Sequence, residues 1–266
     1  MIELVVAGAA GRMGSRLITL AREAADLRVV GALVRPGHPA LGRDAGEVAG
    51  GGRLGVAVTA DPATLLARGR VLVEFTAPEA TLEHLRVATP QGAGAVIGTT
   101  GLSLAQLDEV KHLSRSAPIL LSPNMSVGVN LAFRVLALMA RALGDDYDVE
   151  ITEIHHRMKK DAPSGTAQKM AEVIAEALGR RLSDVGVYGR HGLVGERGPQ
   201  EIGVHALRGG DVVGEHTVVF STLGERLELT HRAHSRDTFA HGALRAVRFV
   251  AGAPPGFYSM QDVLKI

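Results

Sequence analysis

The chain has 266 residues, 46% of them hydrophobic, enough to bury one large core or two modest ones. Its 29 Lys+Arg against 28 Asp+Glu leave a net charge of +1, which excludes a global basic field for nucleic acid. Cysteine is absent, so disulfides, thiolate metal sites and thiol catalysis are excluded as well.

The chain opens MIELVVAGAAGRMG. That apolar run is too short for a membrane span and lacks the charged start of a signal peptide, so a cytoplasmic, soluble protein without a membrane partner is expected. Residues 3–8 read as a buried strand, followed by a helix to about residue 25 and a second strand over 27–34. Residues 37–55 are glycine-rich and read as a long, weakly structured loop, with a short strand over 56–60. A strand over 71–76 leads to Pro78, placed for the first turn of a helix, where a missing N–H does no harm. A strand ending in the GTTG of residues 98–101 follows. Ser103 and Gln106 then have capping-box spacing for a helix to about residue 115, before a strand over 117–124. Strands alternating with helices imply a parallel sheet covered on both faces.

After residue 126 the pattern changes. Residues 130–144 form a long apolar helix, 148–156 alternate like a strand, and a helix runs from Ser164 to about Leu178 with Gly179 at its C-terminal cap. A polar, glycine-rich loop covers 189–200. EIGVHALR, GEHTVVFSTL and ERLELTHRA then read as successive, largely antiparallel strands, and a helix covers 237–250. The histidines of HRAH, His231 and His234, read as strand-end polarity.

Two stretches carry chemistry. The first is GAAGRMG, residues 8–14, directly between a strand and a helix. Glycine there permits a tight turn, lets backbone approach a pyrophosphate and brings the helix against the sheet, so a dinucleotide cofactor is expected. A turn needing only positive φ is the blander alternative. The second-strand residue that meets the ribose should lie about 20 residues further on. Val34 stands there in place of a carboxylate, and Arg35 either meets a ribose phosphate or is an ordinary surface arginine. Gly98, Thr99 and Thr100, and SPNM at 122–125, end later strands on the side where such sheets bind ligands.

The second stretch is EITEIHHRMKKDAPSGTA, residues 150–167. On a strand, His155 and His156 point to opposite faces, so they do not share a metal, and no metal site is expected. One alternative is a solvated basic loop. The sharper reading is an anionic small-molecule site. Lys159 and Lys160 repel each other, which favours loss of a proton. Ser164 caps a helix whose first N–H groups, at Gly165 and Thr166, attract a carboxylate. One segment thus supplies a histidine for proton transfer, a lysine donor and a carboxylate cradle. A dinucleotide-sensing regulator and a metal hydrolase are the rival classes. The first requires a DNA-reading element and a basic face, and the second inhibition by chelators.

In this order, AGAAGRMG, VIGTTG, NMSVGVN, EIHHRMKKDAPSGTA and GDVVGEHTVVF closely resemble the dihydrodipicolinate reductase family of lysine and diaminopimelate biosynthesis, over nearly the whole chain. The resemblance implies an α/β fold. Its Rossmann-type domain would comprise residues 1–126 with 236–266, and its α+β domain, 127–235, would bind substrate and form a homotetramer. It implies reduction of a small cyclic dicarboxylate by NADH or NADPH with loss of water. On the matching positions, His155 resembles the acid/base and Lys159 the proton donor, with His156, Gly165 and Thr166 as substrate contacts. Gly8, Ala9, Ala10, Gly11, Arg12 and Met13 resemble cofactor contacts, as do Gly98, Thr99, Thr100, Ser122, Pro123, Asn124 and Met125. The family often has an acidic residue at Val34 and an arginine at Ala77. These departures leave NADH against NADPH open.

Overall fold

The computed structural model describes residues 1–266 and divides into two compact units, residues 1–127 with 237–265, and 128–236 with 266. The first begins with β1 (Ile2–Ala7), α1 (Arg12–Glu23) and β2 (Leu27–Leu33). The glycine-rich segment that follows is more ordered than its composition suggests. It contains α2 (Ala45–Val48), whose N-cap Asp44 closes the loop. Asp44 Oδ1 accepts from the N–H groups of Gly46 and Leu54 at 2.9 and 2.8 Å, and Oδ2 accepts from Gly55 at 2.6 Å. Then come β3 (Val58–Thr59), β4 (Arg70–Glu74), α3 (Pro78–Ala88), β5 (Gly94–Ile97), α4 (Leu104–Leu113) and β6 (Pro118–Leu121). Pro78 is the first residue of α3, and Ser103 and Gln106 form the expected capping box on α4.

The second unit contains α5 (Val127–Leu143), β7 (Asp148–His155), α6 (Gly165–Ala177), α7 (Leu182–Val185), β8 (Gly186–Val187), β9 (Ile202–Arg208), β10 (Gly214–Thr222) and β11 (Glu225–Ala233). The chain then returns to the first unit with α8 (Asp237–Val250), β12 (Gly256–Tyr258) and α9 (Met260–Leu264).

The first unit is built on a seven-stranded sheet in the order β12-β6-β5-β4-β1-β2-β3, parallel at every pairing. Alternation sorts its side chains into two cores. Leu4, Val6, Val71, Val73 and Val96 face α1 and α8, while Val5, Ala7, Leu72, Ala95 and Ile97 face α3 and α4. Continuous apolar runs are what a parallel sheet covered on both faces requires. The strand order reverses between β1 and β4, the switch point outside which such sheets bind ligands.

The second unit has a mixed sheet, β11-β10-β7-β9-β8. One face of α5 (Val129, Phe133, Leu136) and one of α6 (Ala167, Met170, Ile174) cover Val149, Ile151, Val204 and Phe220. With its 3₁₀ continuation to Asp146, α5 is 20 residues long with a mean hydropathy of 1.5, enough by length and composition to cross a membrane. One stripe of it is core, with Leu136 and Ala140 at 0% exposure. The largely antiparallel order expected after Gln200 is corrected in one respect. β9 does not pair with β10. It lies parallel to β7, which separates the two. The short β12 and α9 were not expected from the sequence.

Candidate active site and nucleotide cleft

Gly8 follows β1 at φ +66° and accepts at its carbonyl from the Gly11 N–H, 2.8 Å away. Gly11 caps α1 without a side-chain bond, and no acidic residue occupies the first turn, so the positive end of the helix faces outward. A Cβ on Gly14 would lie 2.2 Å from the Gly8 carbonyl oxygen and 2.8 Å from Ala9 Cα. The third glycine therefore lets the helix seat against the turn. Ala9 is buried and Met13 packs on the core, whereas Arg12 is exposed.

A cleft of about 420 Å³ opens at this turn, lined by Gly8, Ala10 and Gly11. Val34, Arg35 and His38 line it after β2, Phe75 to Ala77 after β4, and Ala80, Glu83 and His84 from α3. Behind its wall the carboxylate of Glu74 is fully buried. It accepts from Thr76 Oγ1 at 2.7 Å and pairs with His84 Nδ1. Burial alone would lower the His84 pKa, but the Glu74 carboxylate outweighs it and raises the imidazole above its ordinary value.

The other expected cofactor contacts divide by exposure. A Cβ on Gly98 would lie 2.1 Å from the Phe75 ring, so glycine there makes room for the aromatic wall. The Thr99 hydroxyl is turned inward, to Thr81 Oγ1 at 2.8 Å and the Thr76 N–H at 3.2 Å. Ser122 Oγ donates to the Asn124 carbonyl at 2.7 Å, and Met125 is core, so both are engaged within the protein. Thr100 and Pro123 are exposed. The side chains of Thr99, Ser122 and Met125 thus shape the strand ends, and only their backbone groups remain for a ligand.

In the second unit the cationic segment is organised by a carboxylate. β7 alternates Val149, Ile151, Glu153 and His155 on one face, and Glu153 is fully buried. Its Oε2 meets His155 Nδ1 at 2.7 Å and Arg208 Nη1 at 2.8 Å. Its Oε1 accepts from Arg208 Nη2 and from the Ser164 N–H, both at 2.9 Å. Burial opposes the charge on Glu153, but Arg208 and the other donors hold its carboxyl below the usual carboxylate range. Burial dominates at His155 and lowers its pKa. Glu153 opposes that shift, while Lys159 and Arg208 reinforce it.

Ser164 caps α6 as expected, accepting at Oγ from the Ala167 N–H. The same oxygen lies 3.0 Å from Nε2 of buried His216. His216 stacks edge-on to His155 at 5.2 Å between ring centroids and faces His231 at 6.4 Å. Burial, aided by the charge of His155, lowers the His216 pKa to about 4. His231 is therefore part of a row of packed, partly buried histidines around His216 rather than strand-end polarity, and its own pKa is lowered by burial. Gly214 opens β10 beside this row, and a Cβ there would lie 2.9 Å from His155 Nε2.

Lys159 is corrected in its partner. Its ammonium is bound by Asp161 at 2.9 and 2.8 Å, so its nearest charge is opposite, not the like charge of Lys160. His156 lies just past the end of β7, and Lys160 is exposed. Gly165 is exposed, with nothing within 4 Å of where a Cβ would stand, so the start of α6 is open to a ligand. The segment therefore places a neutral imidazole, an ammonium and a helix N-terminus together, a set able to hold a carboxylate and move a proton. Glu153, Arg208, Gly214 and His216 were outside the sequence expectations. The readable signal was Glu153, a charge on the apolar-facing alternation of a strand.

A family model described as dihydrodipicolinate reductase, N-terminus, matches residues 2–125, and one described as dihydrodipicolinate reductase, C-terminus, matches 128–264. The chain is 52% identical over 264 residues to the 4-hydroxy-tetrahydrodipicolinate reductase of Syntrophus aciditrophicus, covering 99% of this chain and 98% of that protein. It is 56% identical to the enzyme of the same name from Rubrobacter xylanophilus, with the same coverage. Among solved structures, dipicolinate-bound dihydrodipicolinate reductase from Paenisporosarcina sp. TG-14 superposes with a TM-score of 0.78 at 23% identity, covering 98% of each chain.

Proposed function

The chain belongs to the dihydrodipicolinate reductase family, and from that premise we propose a division of labour among its residues. The enzyme reduces 4-hydroxy-tetrahydrodipicolinate to tetrahydrodipicolinate with a nicotinamide nucleotide, and the ring hydroxyl leaves as water. The turn from Gly8 to Gly11 and the start of α1 hold the pyrophosphate. The Cβ-free seat of Gly14, the outward helix end and the cleft beside Val34 and Arg35 support this fit. When bound, the nucleotide supplies the hydride.

His155 manages the proton and Lys159 donates one. Gly165 and Thr166 receive a substrate carboxylate at the N-terminus of α6, and His156 contacts the substrate. The single observation carrying this reading is the meeting of His155 with the cap of that helix through Glu153. Backbone groups of Gly98 to Thr100 and of Ser122 to Met125 complete the cofactor contacts. Val34 cannot repel a 2′-phosphate and Arg35 can bind one, so NADPH is used at least as well as NADH.

We further infer a cytoplasmic homotetramer assembled through the second unit. The nine-residue edge strand β11 pairs on one side only, and Leu223 and Leu227 are exposed beside it. Sedimentation would test the stoichiometry.

The reaction is tested by coupling the enzyme to the synthase that makes its unstable substrate and following nucleotide oxidation. His155→Ala and Lys159→Ala should each lower kcat by ~10²–10⁴-fold while nucleotide affinity stays unchanged. Thr166→Glu should raise the substrate KM and weaken binding of dipicolinate, the dicarboxylate bound in the Paenisporosarcina structure. Full turnover in both alanine variants would remove the acid–base assignment, and an unchanged KM in Thr166→Glu would move the carboxylate elsewhere.

A further inference from the structure

We propose that Glu153 is the positioning residue of this site, one buried carboxylate that sets the His155 ring and the start of α6 at a fixed spacing. The proposal rests on the reading of His155 as the acid–base group.

Glu153 lies two residues before His155 on the same face of β7, and each of its oxygens has two partners. An ionised carboxylate only accepts hydrogen bonds, so the proton shared with His155 sits on Nδ1. That fixes the tautomer and leaves Nε2 as the working nitrogen. The other oxygen takes the N–H of Ser164, the residue directly before Gly165 and Thr166. A shift of the carboxylate would therefore move the proton-transfer group and the carboxylate cradle together.

Arg208 completes the device. It meets both oxygens of Glu153 and donates through Nη2 to the Asp161 carbonyl at 2.6 Å. The loop carrying Lys159 is thereby tied to the same anchor. The register explains the meeting, since His155 stands opposite Arg208 on β9 and Glu153 opposite His216 on β10. The groups that bear on His155 are thus Glu153 from its own strand, Arg208 from β9, His216 from β10 with His231 behind it on β11, and Lys159 from the following loop.

The decisive variant is Glu153→Gln, which keeps shape and loses charge. The amide can donate to Nδ1 and so favour the wrong tautomer. Expected are a fall in kcat of ~10²–10³-fold, a shift of the His155 limb of the kcat–pH profile to lower pH, and a raised substrate KM with unchanged NADPH affinity. Glu153→Asp, which restores the charge at a shorter reach, should return the limb toward its wild-type position with only part of kcat. A second measurement needs no variant. Nitrogen NMR of the histidines in the wild-type enzyme should show His155 protonated on Nδ1 and bare on Nε2.

Wild-type kcat and pH profile in Glu153→Gln, or a His155 protonated on Nε2 alone, overturns the proposal. If His155→Ala is inactive while Glu153→Gln is normal, only the positioning role falls. If His155→Ala is fully active, the acid–base reading falls first.

Discussion

Gly214 holds a place that no side chain could share with His155. A methyl group there would stand 2.9 Å from Nε2, and this glycine does not have positive φ, so an alanine meets no backbone penalty. Gly214→Ala should therefore act through the ring alone. A displacement approaching 1 Å can lower turnover roughly 10²-fold, and steady-state kinetics with an unchanged NADPH Kd would show it. Nucleotide choice is a second residue-scale matter. Arg35→Ala should weaken NADPH more than NADH, and added salt should shrink the difference by screening. Val34→Glu should shift preference toward NADH by adding both a ribose acceptor and a repulsive charge. A wild type that strongly prefers NADH, with a ratio untouched in Arg35→Ala, would make Arg35 a mere surface group. His155 and Lys159 were legible because they share one short, dense segment. Glu153, Arg208 and His216 lie on three strands and meet only through register, which no local pattern encodes.

At the scale of elements, alternation and caps were enough to find six of the seven strands of the parallel sheet and most helices. Pairing was harder. β9 alternates like its neighbours, yet it joins β7 in parallel because α6 and α7 carry the chain back to the end where β7 begins, before the short β8. β12, of only three residues, has too little pattern to be seen alone and gains its identity by pairing with β6. Helix α8 was legible as a helix, but its fit was not. A Cβ on Gly242 would lie 1.8 Å from the Met125 carbonyl oxygen. Gly242→Ala should therefore force α8 away from the chain at Met125, although alanine is the better helix former. Overpacking of this kind costs about 1–3 kcal/mol. Calorimetry should show a Tm lowered by several degrees, and an unchanged or raised Tm would show that the helix end yields freely.

For the whole molecule, the buried histidines set the response to acid. His216, with its pKa lowered to about 4, binds its proton more weakly in the folded protein than in the unfolded chain, where an ordinary value near ~6.5 applies. Stability should fall as pH drops from ~6.5 toward 4, by on the order of 3 kcal/mol from this residue. His155 and His231 are shifted in the same direction. His84 opposes them, since its raised pKa contributes stability in acid that is lost as pH rises through its folded value. Glu150 matters only lower down. Burial opposes its charge, but Arg190, His205 and Arg197 bring its pKa to about 2, so its contribution persists above the ordinary carboxylate range and disappears as pH falls toward 2. Urea melts from pH 7 to 4 should show the loss, and His216→Gln should flatten it. An equal slope in that variant would assign the acid response elsewhere.

The return of the chain to its first unit has a consequence for synthesis. Ala240, Ala243, Leu244, Val247 and Val250 of α8 complete the core that Leu4 and Val6 begin, and β12 covers the edge of β6. While the ribosome makes the intervening unit, the nascent first unit lacks both. At ~5–20 residues per second, about a hundred residues take roughly 5–20 s. During that interval an open apolar face and an unpaired β6 edge are exposed, and they are the features that chaperones bind. The second unit, uninterrupted in sequence apart from its last residue, can close first.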